Sequence, residues 1–178
     1  MHSDPHLDQS VTLEQMLAAR DDRYLKQQSL IKADSESVVV VGTVVTPGNR
    51  KRTRESLVTG RAMEEAICKA LEGNLAHVES CDLATGYEVY LQIRNLTPEE
   101  VKRRTCKAEE THPLGRLFDI DVLDGEGRPI NRQSVGLKAR TCLLCGDDAR
   151  ICMRLGRHSY DELSEHIHNM VETYERGF

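Results

Sequence analysis

Patterns of hydrophobic and polar residues predict alternating helices and strands along the chain. Residues 11–31 carry apolar side chains at helical spacing, and Thr12 with Gln15 has the signature of a capping box. The apolar positions that we expect to face the core are Leu13, Leu17, Tyr24 and Leu25. A β-branched run that begins at Val38 predicts a buried strand ending at Pro47.

Further elements follow with the same kinds of pattern. A second helix is predicted to end at Gly73, because small and aliphatic residues recur along one side of the preceding segment. Residues 87–93 predict a second strand. Thr97 followed by Pro98 marks the start of a third helix. A last helix is predicted over residues 160–175, with its apolar residues on one face.

The stretch HPLGRLFDIDVLDG, residues 112–125, predicts a strand with two different faces. Alternate side chains of a strand share a face, so Asp119 and Asp121 point one way and the apolar residues around them point the other. The following LDGEGRP predicts a turn, and residues 130–134 a returning strand. Because strands and helices interleave, we expect a mixed α and β architecture.

Two aspartates on one strand face suit a divalent cation. Mg²⁺ binds carboxylate oxygens and phosphates, and phosphoryl or nucleotidyl transfer uses such an ion to neutralise charge. Gly115 and Arg116 strengthen this interpretation, because a small residue lets the backbone approach a phosphate and arginine can bind it with two hydrogen bonds. The alternative is an ordinary exposed edge strand.

A basic loop lies between the first strand and the second helix. Arg50 and Lys51 belong to the run NRKRTRE, and the start of a helix is a position that favours anions. A solvated loop is the alternative. His112, directly before the Gly-Arg motif, could contact a phosphate or act as a general base, although a loop histidine without a role is an equal alternative.

A cysteine-rich segment follows the acidic strand. Its three thiols and one imidazole form a set that zinc binds tetrahedrally, and they belong to Cys142, Cys145, Cys152 and His158. Buried cysteines that pack as small apolar groups are the alternative. Thiol-disulfide catalysis is disfavoured, since no thioredoxin-like context surrounds the pair.

Composition narrows the functional classes. The chain has 178 residues, of which 39% are hydrophobic, enough for the core of one domain. A net charge of −5 and few aromatic residues argue against a nucleic-acid-binding protein. No apolar run approaches the length of a membrane span, and the N-terminus lacks a signal pattern, so we expect a cytoplasmic protein without membrane association.

Several blocks of the sequence together resemble the apo-citrate lyase phosphoribosyl-dephospho-CoA transferase family, also called holo-citrate lyase synthase. The most specific blocks are HPLGRLFDIDVL at 112–123 and RTCLLCGDDARICMRLGRHS at 140–159. Weaker matches are MLAARDDR at 16–23 and VVTPGNRK at 44–51. The similarity extends over most of the chain.

The resemblance implies an enzyme of prosthetic group biosynthesis. Its donor would be triphosphoribosyl-dephospho-CoA, and its acceptor a serine of the acyl carrier (gamma) subunit of citrate lyase, with diphosphate released. This is the chemistry of a nucleotidyltransferase, which typically depends on magnesium. Carried over by position, Asp119 and Asp121 would be the catalytic metal ligands, and Gly115 with Arg116 would contact phosphate. Lys51 and Arg50 are assigned to the diphosphate from their charge.

The same resemblance implies an α+β fold of the polymerase-β-like nucleotidyltransferase type, with a mixed or antiparallel sheet flanked by helices. Enzymes of that type usually carry a third carboxylate, for which Asp124, Glu126 and Glu88 are the candidates in this sequence. We expect a single transferase domain over residues 1–178. Within it, residues 1–139 would form the nucleotidyltransferase-like core, and 140–178 the Cys-rich turn and C-terminal helix. Two alternatives stay open: a zinc-stabilised module that binds a carrier without catalysis, and the equivalent transferase that acts on the malonate decarboxylase carrier.

Overall fold

The protein folds into helices packed on both faces of one sheet. The computed structural model describes residues 7–177. In chain order its elements are α1 (Leu13–Ala33), β1 (Val38–Val44), α2 (Arg54–Ala70), β2 (Leu75–Leu83), β3 (Gly86–Ile93), α3 (Pro98–Thr111), β4 (Phe118–Leu123), α4 (Ala149–Leu155) and α5 (Tyr160–Glu175). Two short 3₁₀ turns, Gly115–Leu117 and Gln133–Val135, lie before and after β4. The predicted α+β class is confirmed.

The four strands form one antiparallel sheet in the order β2-β3-β1-β4. Because β1 lies between β3 and β4, Thr43 on β1 is paired with Glu88 on one side and with Asp119 on the other. These three residues therefore lie in one row across the sheet. β4 is paired with β1 alone among the strands of residues 7–177, so it forms an edge of the sheet.

The main core fills the face of the sheet that is covered by α2, α3 and α5. Its fully buried members include Met63 from α2, Val101 from α3 and Val171 from α5. A smaller cluster lies on the opposite face, where Leu30 and Ile31 near the end of α1 pack on the sheet. The C-terminal helix thus shares the core of the preceding elements, while the division of the chain at residue 139 stays a prediction.

Helix starts are confirmed where polar caps predicted them. Thr12 and Gln15 exchange hydrogen bonds as a capping box, and Thr97 caps α3 with Pro98 in its first turn. Within residues 7–177, no helix combines the length and the apolar composition that crossing a lipid bilayer requires.

Two expectations about local structure are wrong, and one strand was not predicted. The apolar residues in the first half of α1 are exposed: Leu13 by 76% and Leu17 by 52%. The buried residues of this helix are Leu30 and Ile31 near its end, so helical spacing did not identify the buried face. β2, a strand with mostly exposed side chains, was not predicted because it lacks a buried apolar run. Residues 130–134 form no returning strand; they lead into the second 3₁₀ turn.

Candidate functional site

The two aspartates of β4 lie on the same face of the sheet, the one on which the end of α1 packs. Along β4, Phe118, Ile120 and Val122 are buried in the main core, while Asp119 and Asp121 point to the opposite face and are exposed. This is the alternation that the sequence predicts. The main core therefore anchors the strand from behind and leaves both carboxylates available to solvent.

The two carboxylates repel each other. The surrounding protein removes part of the water around Asp121, and this desolvation, together with the charge of Asp119, raises the pKa of Asp121. Lys102, Arg140 and Arg23 act in the opposite direction but do not cancel the effect. A cation at this position would relieve the repulsion.

Arg140 brings positive charge to the aspartate pair. Its Nη1 lies 3.7 Å from Oδ1 of Asp119, and its Nη2 donates a hydrogen bond to Glu109. Glu109 is buried in α3 and also accepts a hydrogen bond from Nη1 of Arg132 at 2.6 Å. Arg140 is thus held by one carboxylate while it faces another.

Side chains of α3 fix the outer edge of β4. The backbone N–H of Ile120 donates to Glu109 at 3.2 Å, and the carbonyl of Ile120 accepts from Nζ of Lys102 at 2.8 Å. Because Ile120 lies between the two aspartates, these bonds set the position of both. They also occupy backbone groups that an edge strand would otherwise expose.

Glu88, one of the three candidates for a third carboxylate, also lies on this face, two strands away from Asp119. Its Oε1 accepts from Nε and Nη2 of Arg23, and its Oε2 accepts from the hydroxyl of Tyr90. The two other candidates lie beyond the strand: Asp124 closes the turn after β4 by accepting from backbone N–H groups, and Glu126 pairs with Arg128. Of the three candidates, Glu88 is therefore the one that shares a face of the sheet with the aspartate pair.

Gly115 and Arg116 make protein contacts. A Cβ at Gly115 would lie 2.2 Å from the carbonyl oxygen of Glu109, so the turn packs directly against the end of α3. The guanidinium of Arg116 donates to the carbonyls of Thr141 and Cys142 at 2.7 and 3.0 Å. The motif thus links α3, β4 and the Cys-rich segment.

His112 lies at the end of α3, on the core side of the sheet. Its ring packs against Phe118 and Tyr174, with centroids 4.9 and 5.3 Å away, and its Nδ1 accepts from the backbone N–H of Leu114. Burial lowers the pKa of His112. Because Phe118 and Asp119 point to opposite faces, the fold does not bring His112 together with the aspartates.

The basic loop lies beside a cavity of about 310 Å³ at the end of β1, between α2 and α5. Arg50 is exposed and lines this cavity. Lys51 turns back, and its Nζ donates to the carbonyl of Thr46 at 2.6 Å. Burial lowers the pKa of this amine. The remaining arginines of the loop form ion pairs, Arg52 with Asp82 and Arg54 with α5.

The predicted zinc ligands come together. One ligand atom from each residue lies within 4.8 Å of all the others in the set Cys142, Cys145, Cys152 and His158. The sulfur atoms of Cys145 and Cys152 are 3.4 Å apart. Nε2 of His158 is buried and has no hydrogen-bond partner in the part of the chain that the structure describes.

Backbone geometry favours a thiolate in this cluster. Burial opposes ionisation of Cys142, but hydrogen bonds from the backbone N–H groups of Cys145 and Leu144 and from the neighbouring thiols outweigh it. Together they lower the pKa of Cys142 to about 6. The pKa of Cys152 is raised to about 12, by burial first and by the other two sulfurs second. Three thiols and a free imidazole nitrogen are a donor set that a metal such as zinc can occupy.

Sequence reasoning missed Arg140 and Glu109. Arg140 opens the Cys-rich block, directly before Thr141, but nothing in the sequence says that this block folds back to β4. Glu109 lies in a helix rich in charged residues, where its burial has no sequence signal. Both depend on contacts between distant elements.

The chain is similar to known proteins over most of its length. The family model described as apo-citrate lyase phosphoribosyl-dephospho-CoA transferase matches residues 11–174. A relative in Vibrio cholerae serotype O1, named probable apo-citrate lyase phosphoribosyl-dephospho-CoA transferase, is 36% identical over 95% of this chain and 96% of its own length. A Streptococcus pyogenes serotype M18 protein of the same name is 32% identical over 93% of this chain and 88% of its own. Protein CitXG of Haemophilus influenzae is 29% identical over 93% of this chain, which spans only 36% of that protein.

Proposed function

The chain belongs to the apo-citrate lyase phosphoribosyl-dephospho-CoA transferase family, and from this premise we propose the reaction that it catalyses. A serine hydroxyl of the citrate lyase acyl carrier subunit attacks the α-phosphate of triphosphoribosyl-dephospho-CoA. The bond from the serine oxygen to the α-phosphorus forms, the bond to the β-phosphate breaks, and the hydroxyl proton is released. Diphosphate leaves, and the carrier keeps the prosthetic group through a phosphodiester.

The observation that carries the proposal is the aspartate pair on β4 with Arg140 beside it. Asp119 and Asp121 are exposed on one face of the sheet, and their mutual repulsion favours a bound cation. Their hard oxygen atoms fit Mg²⁺, so we assign them as its ligands. When bound, Mg²⁺ neutralises phosphate charge and aligns the displacement. The chain itself fixes the direction of both carboxylates through the backbone bonds at Ile120.

We assign further residues to binding the triphosphate of the substrate. We assign Arg50 and Lys51 to the leaving diphosphate, and what supports this is the exposure of Arg50 at the cavity next to the end of β1. For Gly115, Arg116 and His112, a direct contact with substrate stays a prediction. Their packing supports a role in holding the segments on either side of β4.

Zinc at the Cys3His cluster is the second cofactor of the proposal. The donor atoms are close to one another, and Nε2 of His158 is buried without a hydrogen-bond partner in the described residues, so a metal would satisfy it. Zinc would cross-link a segment that contains one helix of only seven residues. The nucleotidyltransferase type of the fold and a cytoplasmic location belong to the same proposal, the latter because all six cysteines are free thiols.

One incubation tests the reaction. The purified chain is mixed with triphosphoribosyl-dephospho-CoA, Mg²⁺ and the apo acyl carrier of citrate lyase, and the intact mass of the carrier is measured. We expect the mass to rise by one prosthetic group, with one diphosphate released for each carrier modified. Faster modification of the malonate decarboxylase carrier in a parallel reaction would change the assigned acceptor. Carrier binding without any mass increase would favour a module that does not catalyse.

A further inference from the structure

Arg140 has N–H groups without a hydrogen bond to the described part of the protein, on the side where we expect the phosphate of triphosphoribosyl-dephospho-CoA. Its guanidinium carries five N–H donors, and one nitrogen, Nη2, is engaged by Glu109. Nη1 is 3.7 Å from Asp119, too far for a hydrogen bond but close enough to sit at the rim of the aspartate site. The side chain is 32% exposed, so solvent or a ligand can reach it.

The anchor of Arg140 is the same group that anchors the aspartates. Buried Glu109 accepts from Arg140 and from the backbone N–H of Ile120, between Asp119 and Asp121. The arginine and the metal-ligand candidates are therefore positioned relative to each other through one carboxylate. Arginine held in this way matches a phosphate with two parallel hydrogen bonds better than a flexible lysine would.

The Cys-rich segment controls where the backbone of Arg140 lies. The carbonyl of Arg140 accepts from the N–H of Ala149 at 3.2 Å, and the N–H of Cys142 donates to the carbonyl of Asp147. The cluster ligand Cys142 is only two residues from Arg140. A metal that fixes the cluster therefore fixes the backbone that carries Arg140.

We propose that Arg140 binds the transferred phosphate beside Asp119, and that metal binding by the Cys3His cluster holds Arg140 in that position. The inference rests on the proposed function, because it names a residue and a metal dependence of the same site. Arg140 is a catalytic residue in this scheme, Glu109 a positioning residue, and the cluster a structural element that acts on the site through residues 140–142.

The first test is substitution of Arg140. In Arg140→Ala we expect kcat to fall by about 10²–10³-fold, the usual effect of losing one charge-stabilising donor, with the KM for the carrier unchanged. Arg140→Lys should recover only part of the rate. The matched control is Arg128→Ala, which removes an exposed arginine that pairs with Asp124 after the same strand and should keep wild-type kinetics. A wild-type rate in Arg140→Ala would overturn the assignment.

The second test separates the metal from the chemistry by measuring donor binding without the carrier. Wild type and Arg140→Ala are prepared with zinc and after chelation, the chelator is removed, Mg²⁺ is restored, and the Kd for triphosphoribosyl-dephospho-CoA is measured by calorimetry. We expect zinc removal to weaken binding in wild type to the level of Arg140→Ala, and to have no further effect in that variant. Far-UV circular dichroism checks that each sample is folded, and Cys145→Ser, which removes an exposed ligand, repeats the comparison without chelator.

Other outcomes would contradict the coupling. Equal weakening in both proteins after zinc loss would mean that the metal acts elsewhere, and unchanged binding in metal-free wild type would mean that Arg140 needs no metal. Failure of the wild type to modify any carrier would instead reject the proposed function, so the two failures are distinguishable.

Discussion

The carboxylate of Glu109 accepts a hydrogen bond from the backbone N–H of Ile120 at 3.2 Å, and the two residues belong to α3 and β4. A buried acid on a helix thereby fixes the strand residue that separates the two exposed acids of the candidate site. The same carboxylate pairs with Arg132 and Arg140. The edge of the sheet, the basic side chains and the aspartate pair consequently form one connected unit.

Loss of the charge on Glu109 should destabilise the protein. In Glu109→Gln the amide still accepts from Ile120, but Arg132 and Arg140 lose their buried anion, so we expect a loss of about 3 kcal/mol in the free energy of unfolding. Urea unfolding followed by circular dichroism measures it. The control is Glu110→Gln, since this exposed neighbour also pairs with Arg132 and should cost less than about 1 kcal/mol. Equal effects of the two substitutions would show that the buried network does not stabilise the fold.

Neutralising either aspartate should abolish transfer without unfolding the chain. Asp119→Asn and Asp121→Asn each remove one carboxylate from the proposed Mg²⁺ site, so we expect the transfer rate to fall by at least about 10²-fold. Intact mass of the carrier gives the rate, and circular dichroism reports the fold. Asp21→Asn, at an exposed acid of α1, serves as the matched substitution and should retain activity. Wild-type rates in both β4 variants would remove the aspartates from the mechanism.

Protonation of Asp121 should contribute to the pH dependence of stability. Because its folded-state pKa lies above the ordinary 3.8, the folded chain holds the proton more tightly than the unfolded chain. The stabilising contribution is present below pH 3.8 and is lost as the pH rises through the folded-state pKa. Asp121→Asn removes this dependence, so without divalent metal the variant should be more stable at neutral pH, by less than about 1 kcal/mol because solvent reaches the group.

Urea unfolding of wild type and Asp121→Asn at several pH values, from about pH 4 to about pH 7, measures this difference. Taking the difference between the two proteins cancels the titration of other groups, such as Glu109, whose pKa is also raised by burial. Parallel stability curves over the whole range would contradict the prediction.

Gly115 should not tolerate a side chain. A Cβ would lie 2.2 Å from the carbonyl oxygen and 2.7 Å from the carbonyl carbon of Glu109, and backbone cannot move aside cheaply. We expect Gly115→Ala to lower the free energy of unfolding by about 1–3 kcal/mol, the typical cost of overpacking. In Gly125→Ala the added Cβ would lie 3.3 Å from the carbonyl oxygen of Ser35. The thermal midpoint of this variant should therefore fall less than that of Gly115→Ala. A larger loss at Gly125 would argue against this packing of the turn.

The exposed half of α1 should contribute little to stability. Leu17→Ala truncates a side chain that is 52% exposed and should cost less than about 1 kcal/mol, whereas Leu30→Ala empties a buried position and should cost about 2–5 kcal/mol. Chemical denaturation of both variants provides the comparison. If Leu17→Ala proved the more damaging substitution, the apolar face predicted from the sequence would be the buried one after all.

Much of the local structure follows from the sequence alone. Caps such as Thr12 and Thr97 start helices because their side chains satisfy backbone N–H groups within the next turn, and that interaction is local. The alternation in β4 likewise places Asp119 and Asp121 on one face, since strand geometry fixes which side chains point together. Spacing also indicated the four residues of the Cys3His cluster, although their approach within 4.8 Å is a property of the folded chain.

Tertiary structure alone decided which groups surround the aspartates. Arg140 and Glu109 come from the segment after β4 and the helix before it, and no periodicity encodes how those segments pack. Packing also turned His112 toward the core and left Leu13 in solvent, because the apolar residues of α1 that are buried lie near its end. Backbone geometry and capping act over a few residues, so the sequence determines them. Burial and charge pairing between distant residues depend on how the elements pack, which is why they are known only from the folded chain.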